Sequence, residues 1–194
     1  VAIIRESRNE VLLAVDRMGT FPLFYTVNAG LLAFGSSADC VRAHPAVTST
    51  LDLQSIFDYI YFNMVPSPRT IYVEQQKLEP AQFLHFQHGR VVTGFHWLPD
   101  FQENGAAAFH ELSDTLGKTL KSAVTRSAPD CHAGAFLSGG IDSTTVSGVF
   151  SEICRSPVNT YTIGFNVKGY DETEYARIAA RHFGLNAHEY YVTP

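Results

Sequence analysis

Six consecutive residues, Ser138-Gly139-Gly140-Ile141-Asp142-Ser143, carry the densest chemistry in the chain. The glycines let backbone approach a ligand closely and take conformations that other residues avoid. The apolar run Ala133–Leu137 predicts a short buried strand, and the residues after Gly140 predict a helix opening near Asp142 and Ser143. A helix N-terminus aims unpaired N–H groups and the positive end of its dipole at the preceding turn, where phosphate binds well. Ser138 and Ser143 add hydroxyl donors. Asp142 puts a carboxylate where phosphates repel it, unless it holds Mg2+, a hard cation that takes oxygen ligands. An ordinary βα turn also explains strand–Gly–Gly–helix, so the weight rests on the full six-residue string. It is neither a Walker loop, since no G-K-[ST] follows, nor a G-x-G-x-x-G dinucleotide turn. Without a Walker lysine for the outer phosphates, a loop that grips pyrophosphate as the leaving group fits best, with attack at the alpha phosphorus.

Such a loop needs a parallel α/β frame, and the second half of the chain predicts one. A helix over Phe109–Arg126 carries Phe109, Leu112, Leu116, Leu120 and Val124 on one stripe. The strand, turn and helix to Cys154 follow, then a strand Val158–Phe165, a helix Glu172–Phe183 closed by Gly184, and a strand Ala187–Val192. That order is βαβαβ, with right-handed crossovers. Ligands in such sheets sit beyond the carboxyl ends of the strands, where the Ser138 turn and a Gly164 loop are expected.

The first half reads as antiparallel β with small helices. Strands are expected at Val1–Ile4, Val11–Val15, Pro22–Val27 and Leu31–Ser36, the last two joined at Asn28-Ala29-Gly30. A short helix Ala38–Ala43 stops at His44-Pro45. Asp52 reads as the N-cap of a helix Leu53–Tyr61. A hairpin joins Gln82–Phe86 to Val91–Trp97, and Pro99–Ala107 reads as a linker. Trp97 and the aromatics Phe57, Tyr59, Tyr61 and Phe62 are expected in core and domain interface.

Composition excludes several classes. A net charge of −5 argues against a nucleic-acid or anionic-membrane surface. No apolar run is long enough to span a bilayer, and no signal peptide is visible. The eight histidines show no metal-ligand spacing, and His85 and His88 are expected on the surface. Cys40, Cys131 and Cys154 form neither a C-x-x-C pair nor a disulfide framework, so a reducing cytoplasm is the default. Both ends of the sequence look cut.

The string S-G-G-I-D-S resembles the pyrophosphate loop of ATP pyrophosphatases. With Y-T-I-G-F (Tyr161–Phe165) and Y-D-E-T-E-Y-A-R (Tyr170–Arg177), it resembles the synthetase domain of glutamine-dependent asparagine synthetases. The first half agrees: D-R-M-G-T-F-P-L-F-Y (Asp16–Tyr25), L-L-A-F-G-S-S (Leu31–Ser37), V-P-S-P-R-T-I-Y (Val65–Tyr72) and K-L-E-P-A-Q-F-L (Lys77–Leu84) are similar to segments of that family's glutaminase domain, in the family's order.

The resemblance implies two partial domains. Residues 1–98 would be part of an antiparallel β glutaminase-like domain of the N-terminal-nucleophile fold, 99–108 a linker, and 109–194 the start of a parallel α/β PP-loop synthetase domain. It implies ATP and Mg2+. Leu137, Ser138, Gly139, Gly140, Asp142, Ser143, Ile163 and Gly164 would bind ATP: the loop residues at the beta and gamma phosphates, Asp142 at Mg2+, and Leu137, Ile163 and Gly164 around adenine. The small-molecule substrates would be ATP, aspartate or a related acid, and glutamine as ammonia donor, in a cytoplasmic enzyme with room for a homodimer and no nucleic-acid or membrane partner.

Departures bear on this. The family's N-terminal nucleophilic cysteine would lie before Val1, none of Cys40, Cys131 and Cys154 takes its role by position, and no catalytic residue is expected within these 194. Val15 stands where arginine is frequent, and Ser37 and Asp39 where glutamate and lysine are. The 194-residue chain alone is therefore expected to make no asparagine. Two other readings fit the same loop: an acyl-adenylating cyclase of the beta-lactam synthetase or lasso-peptide cyclase type, and a non-catalytic nucleotide-binding module. Asp16 and Arg17 are expected to pin their turn with a buried bond, Arg177 and Arg181 to be solvated, and His188-Glu189 to pack.

Overall fold

Alternating apolar and polar residues dominate the first hundred positions and give two antiparallel sheets. The computed structural model describes residues 1–101, 108–128, 131–167 and 171–192. The expected linker falls mostly on 102–107, and Tyr170 on 168–170, both outside the described residues. The chain divides into two compact units, Val1–Gln102 and Glu103–Pro194.

In the first unit, β1 (Ala2–Arg5), β2 (Glu10–Ala14), β6 (Gln82–Gln87) and β7 (Arg90–Phe95) form one sheet in the order β1-β2-β6-β7. β3 (Phe24–Asn28), β4 (Leu31–Gly35) and the two-residue β5 (Gln76–Lys77) form the other, in the order β4-β3-β5. Leu13, Leu84 and Phe86 of the first sheet and Tyr25 of the second meet in one core with Val15 and Leu78. The β3–β4 turn uses left-handed Ala29 and Gly30, as a tight hairpin demands.

Two helices follow β4. Ser37 caps α1 (Ala38–Arg42) by accepting from the Cys40 N–H, and Asp52 caps α2 (Leu53–Phe62) by accepting from the Gln54 N–H. Asp52 also accepts from the Ser55 hydroxyl and from Arg69. The aromatic face of α2 corrects the expectation of burial: Phe57, Tyr59, Tyr61 and Phe62 are all exposed. Phe57 stacks on Tyr61, and Tyr61 meets Phe62 edge-on, so these rings pack on one another. Trp97 is half-buried with the Arg17 guanidinium 5.3 Å over its ring. His88 is exposed, whereas His85 is half-buried with Nε2 at 2.8 Å from Glu10.

The second unit is a parallel sheet in the order β10-β9-β8, built from β8 (Ala135–Phe136), β9 (Asn159–Phe165) and β10 (Asn186–Val192). Its helices are α3 (Phe109–Ser127), α4 (Ile141–Cys154) and α5 (Thr173–Phe183). β8 is shorter than the expected Ala133–Leu137, because it is paired over only two positions, Ala135 with Thr160 and Phe136 with Tyr161. Along β9 the residues alternate: Thr160, Thr162 and Gly164 are buried, while Tyr161, Ile163 and Phe165 are exposed. Leu137 packs with Ala176, Ala179 and Ala180 of α5, and Phe150 of α4 packs with Val158 and Ala128. Of the α3 stripe, Leu120 and Val124 are half-buried, but Phe109, Leu112 and Leu116 stay exposed.

Cysteine usage also needs correction. Cys131 and Cys154 form a disulfide across a sequence separation of 23. The strand and helix between them turn the chain back on itself, which spacing alone could not show. Closing a loop of that length restricts the unfolded chain by about 3 kcal/mol in the chain-entropy view. The pairing removes the cysteine-based ground for expecting a reducing compartment.

Candidate functional site

The loop forms because three local preferences agree. Gly139 takes φ +84°, which glycine adopts without strain. Gly140 is extended and serves as the N-cap of α4, its carbonyl accepting the Thr144 N–H at 3.0 Å. Ser143 then stands in the first turn of α4 with its hydroxyl turned back to the loop. It accepts the Ser138 N–H at 3.2 Å and lies 2.9 Å from the Ser138 hydroxyl. The Gly140 N–H reaches the Ser138 hydroxyl at 3.3 Å. The loop is thus a small ring of mutually bonded donors at a helix N-terminus, and an incoming anion would compete for these same groups.

Asp142 is exposed in the first turn of α4. Beside it opens a mainly apolar cavity of about 500 Å³, lined by Val124 of α3, Phe136 of β8, Val146 and Phe150 of α4, and by Asp142 and Ser143. Among the described residues no group of three or more His, Cys, Asp or Glu is placed to hold a metal. A lone carboxylate suits Mg2+, which keeps several waters and binds through one or two carboxylates plus substrate phosphates.

The remaining predicted residues are distributed less simply. Leu137 is 1% exposed under α5, and its backbone is engaged: its N–H bonds to the Tyr161 carbonyl, and its carbonyl accepts the Thr162 hydroxyl at 2.7 Å. Ile163 points to the open face of the sheet. Gly164 lies within β9 rather than in a loop, because the strand continues to Phe165. It is buried beside Tyr191 and Thr173.

Sequence reasoning missed a polar network on α5 and β10. Arg177 is exposed, as expected, and it also donates to both oxygens of Glu189, Nε to Oε1 at 2.8 Å and Nη2 to Oε2 at 2.6 Å. Nη2 also donates to the Tyr191 hydroxyl at 3.2 Å, and that hydroxyl lies 3.0 Å from Thr173 Oγ1. The Arg177 bond, with its charge, holds the Glu189 carboxyl below its ordinary value and raises the Arg177 guanidinium in turn. His188 stacks on Tyr161 at 5.1 Å and meets Asn159 through Nε2. No periodicity links residue 177 to 189; only the parallel register, which puts Glu189 beside Thr162 and Tyr191 beside Gly164, brings them under α5.

In the first unit, Asp16 and Arg17 do not bond to each other as expected. The Asp16 carboxylate is exposed and accepts from the Met18 N–H, the Thr20 hydroxyl and the Phe21 N–H. Arg17 instead reaches the Trp97 ring.

Comparison with known proteins agrees in both halves. The glutamine amidotransferase domain family matches residues 1–97, and the asparagine synthase family matches residues 115–194. The chain is 32% identical, over 97% of its length, to a protein of Methanocaldococcus jannaschii named as a glutamine-hydrolysing asparagine synthetase. It is 27% identical, over 84%, to glutamine-hydrolysing asparagine synthetase 3 of Bacillus subtilis. At 25% over 94% it is also similar to amidase chry2 of Gibberella zeae. It spans 38%, 28% and 30% of those relatives' lengths. With two families matched in consecutive order over nearly the whole chain, this protein belongs to the glutamine-hydrolysing asparagine synthetase family.

Proposed function

We propose that this chain is part of an ATP-dependent amide-forming ligase that makes asparagine from aspartate, glutamine and ATP. In this reading residues 1–98 belong to a glutaminase-like domain of the N-terminal-nucleophile fold, 99–108 join the two, and 109–194 begin a PP-loop synthetase domain. Aspartate attacks the alpha phosphorus of ATP, giving an acyl-adenylate and pyrophosphate. Ammonia from glutamine then displaces AMP. The parent is taken to act in the cytoplasm on small molecules, with room for a homodimer.

The supporting observation is the loop at the N-terminus of α4, where the Ser138 and Ser143 hydroxyls converge beside the Gly139 and Gly140 backbone. Ser138, Gly139, Gly140 and Ser143 would hold the beta and gamma phosphates and orient pyrophosphate as leaving group. Asp142, in the first turn of α4, would hold Mg2+ together with phosphate oxygens; when bound, the ion would offset charge on the departing pyrophosphate. Ile163 and Gly164 would border adenine, and buried Leu137 would form the floor.

The test is ATP–pyrophosphate exchange by the complete gene product with aspartate as the acid. Exchange should require aspartate and fall by at least about a hundredfold in Asp142→Ala. Exchange that is indifferent to Asp142 would sink the loop assignment. Exchange with another acid only would transfer the reading to a different acyl acceptor.

A further inference from the structure

Two of the three glycines of the proposed nucleotide site, Gly139 and Gly164, lie against one helical turn. A Cβ on Gly139 would sit 2.5 Å from Tyr175 Cβ and 2.6 Å from the Ala176 nitrogen. A Cβ on Gly164 would sit 2.8 Å from Thr173 Cγ2 and 2.7 Å from the Tyr191 ring. The first turn of α5 therefore touches the phosphate loop on one side and the C-terminal end of β9 on the other. Its angle sets how far apart those two segments lie.

The start of the turn is held locally by Asp171, whose Oδ1 accepts the Thr173 N–H at 3.2 Å. The N-cap, Glu172, makes no side-chain capping bond. Ala176 packs the turn onto Leu137, and the run Thr173–Tyr191–Arg177–Glu189 adds a polar tie to β10. Glu189 engages Arg177 at two points, which fixes the plane of the guanidinium. The fixed guanidinium aims Nη2 at the Tyr191 hydroxyl, and that hydroxyl meets Thr173. An exposed ion pair of this kind contributes little to stability, yet here it organises a tyrosine that fills the space over Gly164.

We infer that Arg177 is a positioning residue for the ATP site, acting through Tyr191 and Thr173 on the first turn of α5. This rests on the reading of the loop as an ATP site and adds to it the device that sets its width. When Tyr191 loses its Arg177 partner, its ring can leave Gly164 and the turn can tilt. The phosphate loop and the end of β9 then no longer hold one spacing, and ATP binding suffers before aspartate binding does.

The experiment measures ATP–pyrophosphate exchange by the complete gene product, with KM for ATP and for aspartate, kcat and melting temperature. The variants are Tyr191→Phe, Arg177→Met, Arg177→Lys and the double variant Arg177→Met/Tyr191→Phe. The two phenylalanine and methionine singles should each raise KM for ATP about tenfold, leaving KM for aspartate and the melting temperature near the parent's. Arg177→Lys should fall between, since an ammonium keeps the charge but not the fork. The double variant should be no worse than the more impaired single, because both act along one line. Unchanged KM for ATP in folded Tyr191→Phe overturns the inference. So does a joint rise of both KM values with a lowered melting temperature, which marks a merely structural role. A parent without ATP-dependent exchange overturns the ATP reading as well, so the two failures separate: one appears in the parent, the other only in the variants.

Discussion

Asp16 shows what a turn can do to one carboxyl group. The Thr20 N–H, then the Met18 N–H, the Thr20 hydroxyl and the Phe21 N–H, bring it from 3.8 to about 2 against an opposing desolvation. A depressed folded-state value stabilises the fold above the unfolded value and loses that effect as pH falls through the folded one. The window is therefore from about pH 4 down to about pH 2. Asp16→Asn should flatten the pH dependence of the melting temperature across that window relative to the parent; parallel curves for the two would refute it. Local chemistry is legible only in part: the Asp16 partners were not read, whereas Asp52 was readable as a cap because Gln54 and Ser55 lie within three residues. Arg69, seventeen residues away, was not. Ser138 and Ser143 were readable as two hydroxyls of one turn, though not as partners of each other, while Arg177 and Glu189 needed a strand register that no spacing reveals.

At the scale of elements, the Ser138–Ser143 loop is a strand–turn–helix whose turn must be glycine for two reasons at once. Gly139 has φ +84°, and α5 occupies the place of its Cβ. Gly139→Ala should push the first turn of α5 away. We expect loss of nearly all ATP-dependent exchange and a destabilisation of about 1–3 kcal/mol, read by exchange assay and denaturant unfolding. A fully active, equally stable variant would mean that α5 yields freely. The helices and most strands were legible because each repeats its own period, and the Gly184 stop of α5 is seen at φ +63°. β5 was not: two residues, Gln76 and Lys77, are strand only because β3 offers them an edge. The aromatic run of α2 misled because it looks like core, yet its rings lie on the surface and contact one another.

At the scale of the whole chain, one face of the parallel sheet is open. Phe136, Tyr161, Ile163, Phe165 and Tyr190 are all exposed there, with Phe136 at 78%. Parallel sheets are ordinarily covered on both faces, so the 194-residue chain should bind a hydrophobic dye such as ANS with a marked rise in fluorescence. Replacing Phe136 and Tyr190 by serine should reduce that signal; an unchanged signal would place the dye elsewhere. Composition could not show this face, since it counts apolar residues without saying which side of a strand they take. The Cys131–Cys154 bond has a consequence of another kind. It makes the Ser138–Ser143 loop part of a closed covalent ring. A protease that nicks the exposed backbone around Ile141 leaves both fragments joined, and they part only on reduction. No lysine or arginine lies between the two cysteines, so trypsin releases them together in the single peptide 127–155. In a peptide map the bridged and open forms of this loop then differ by two hydrogens, not by a missing fragment.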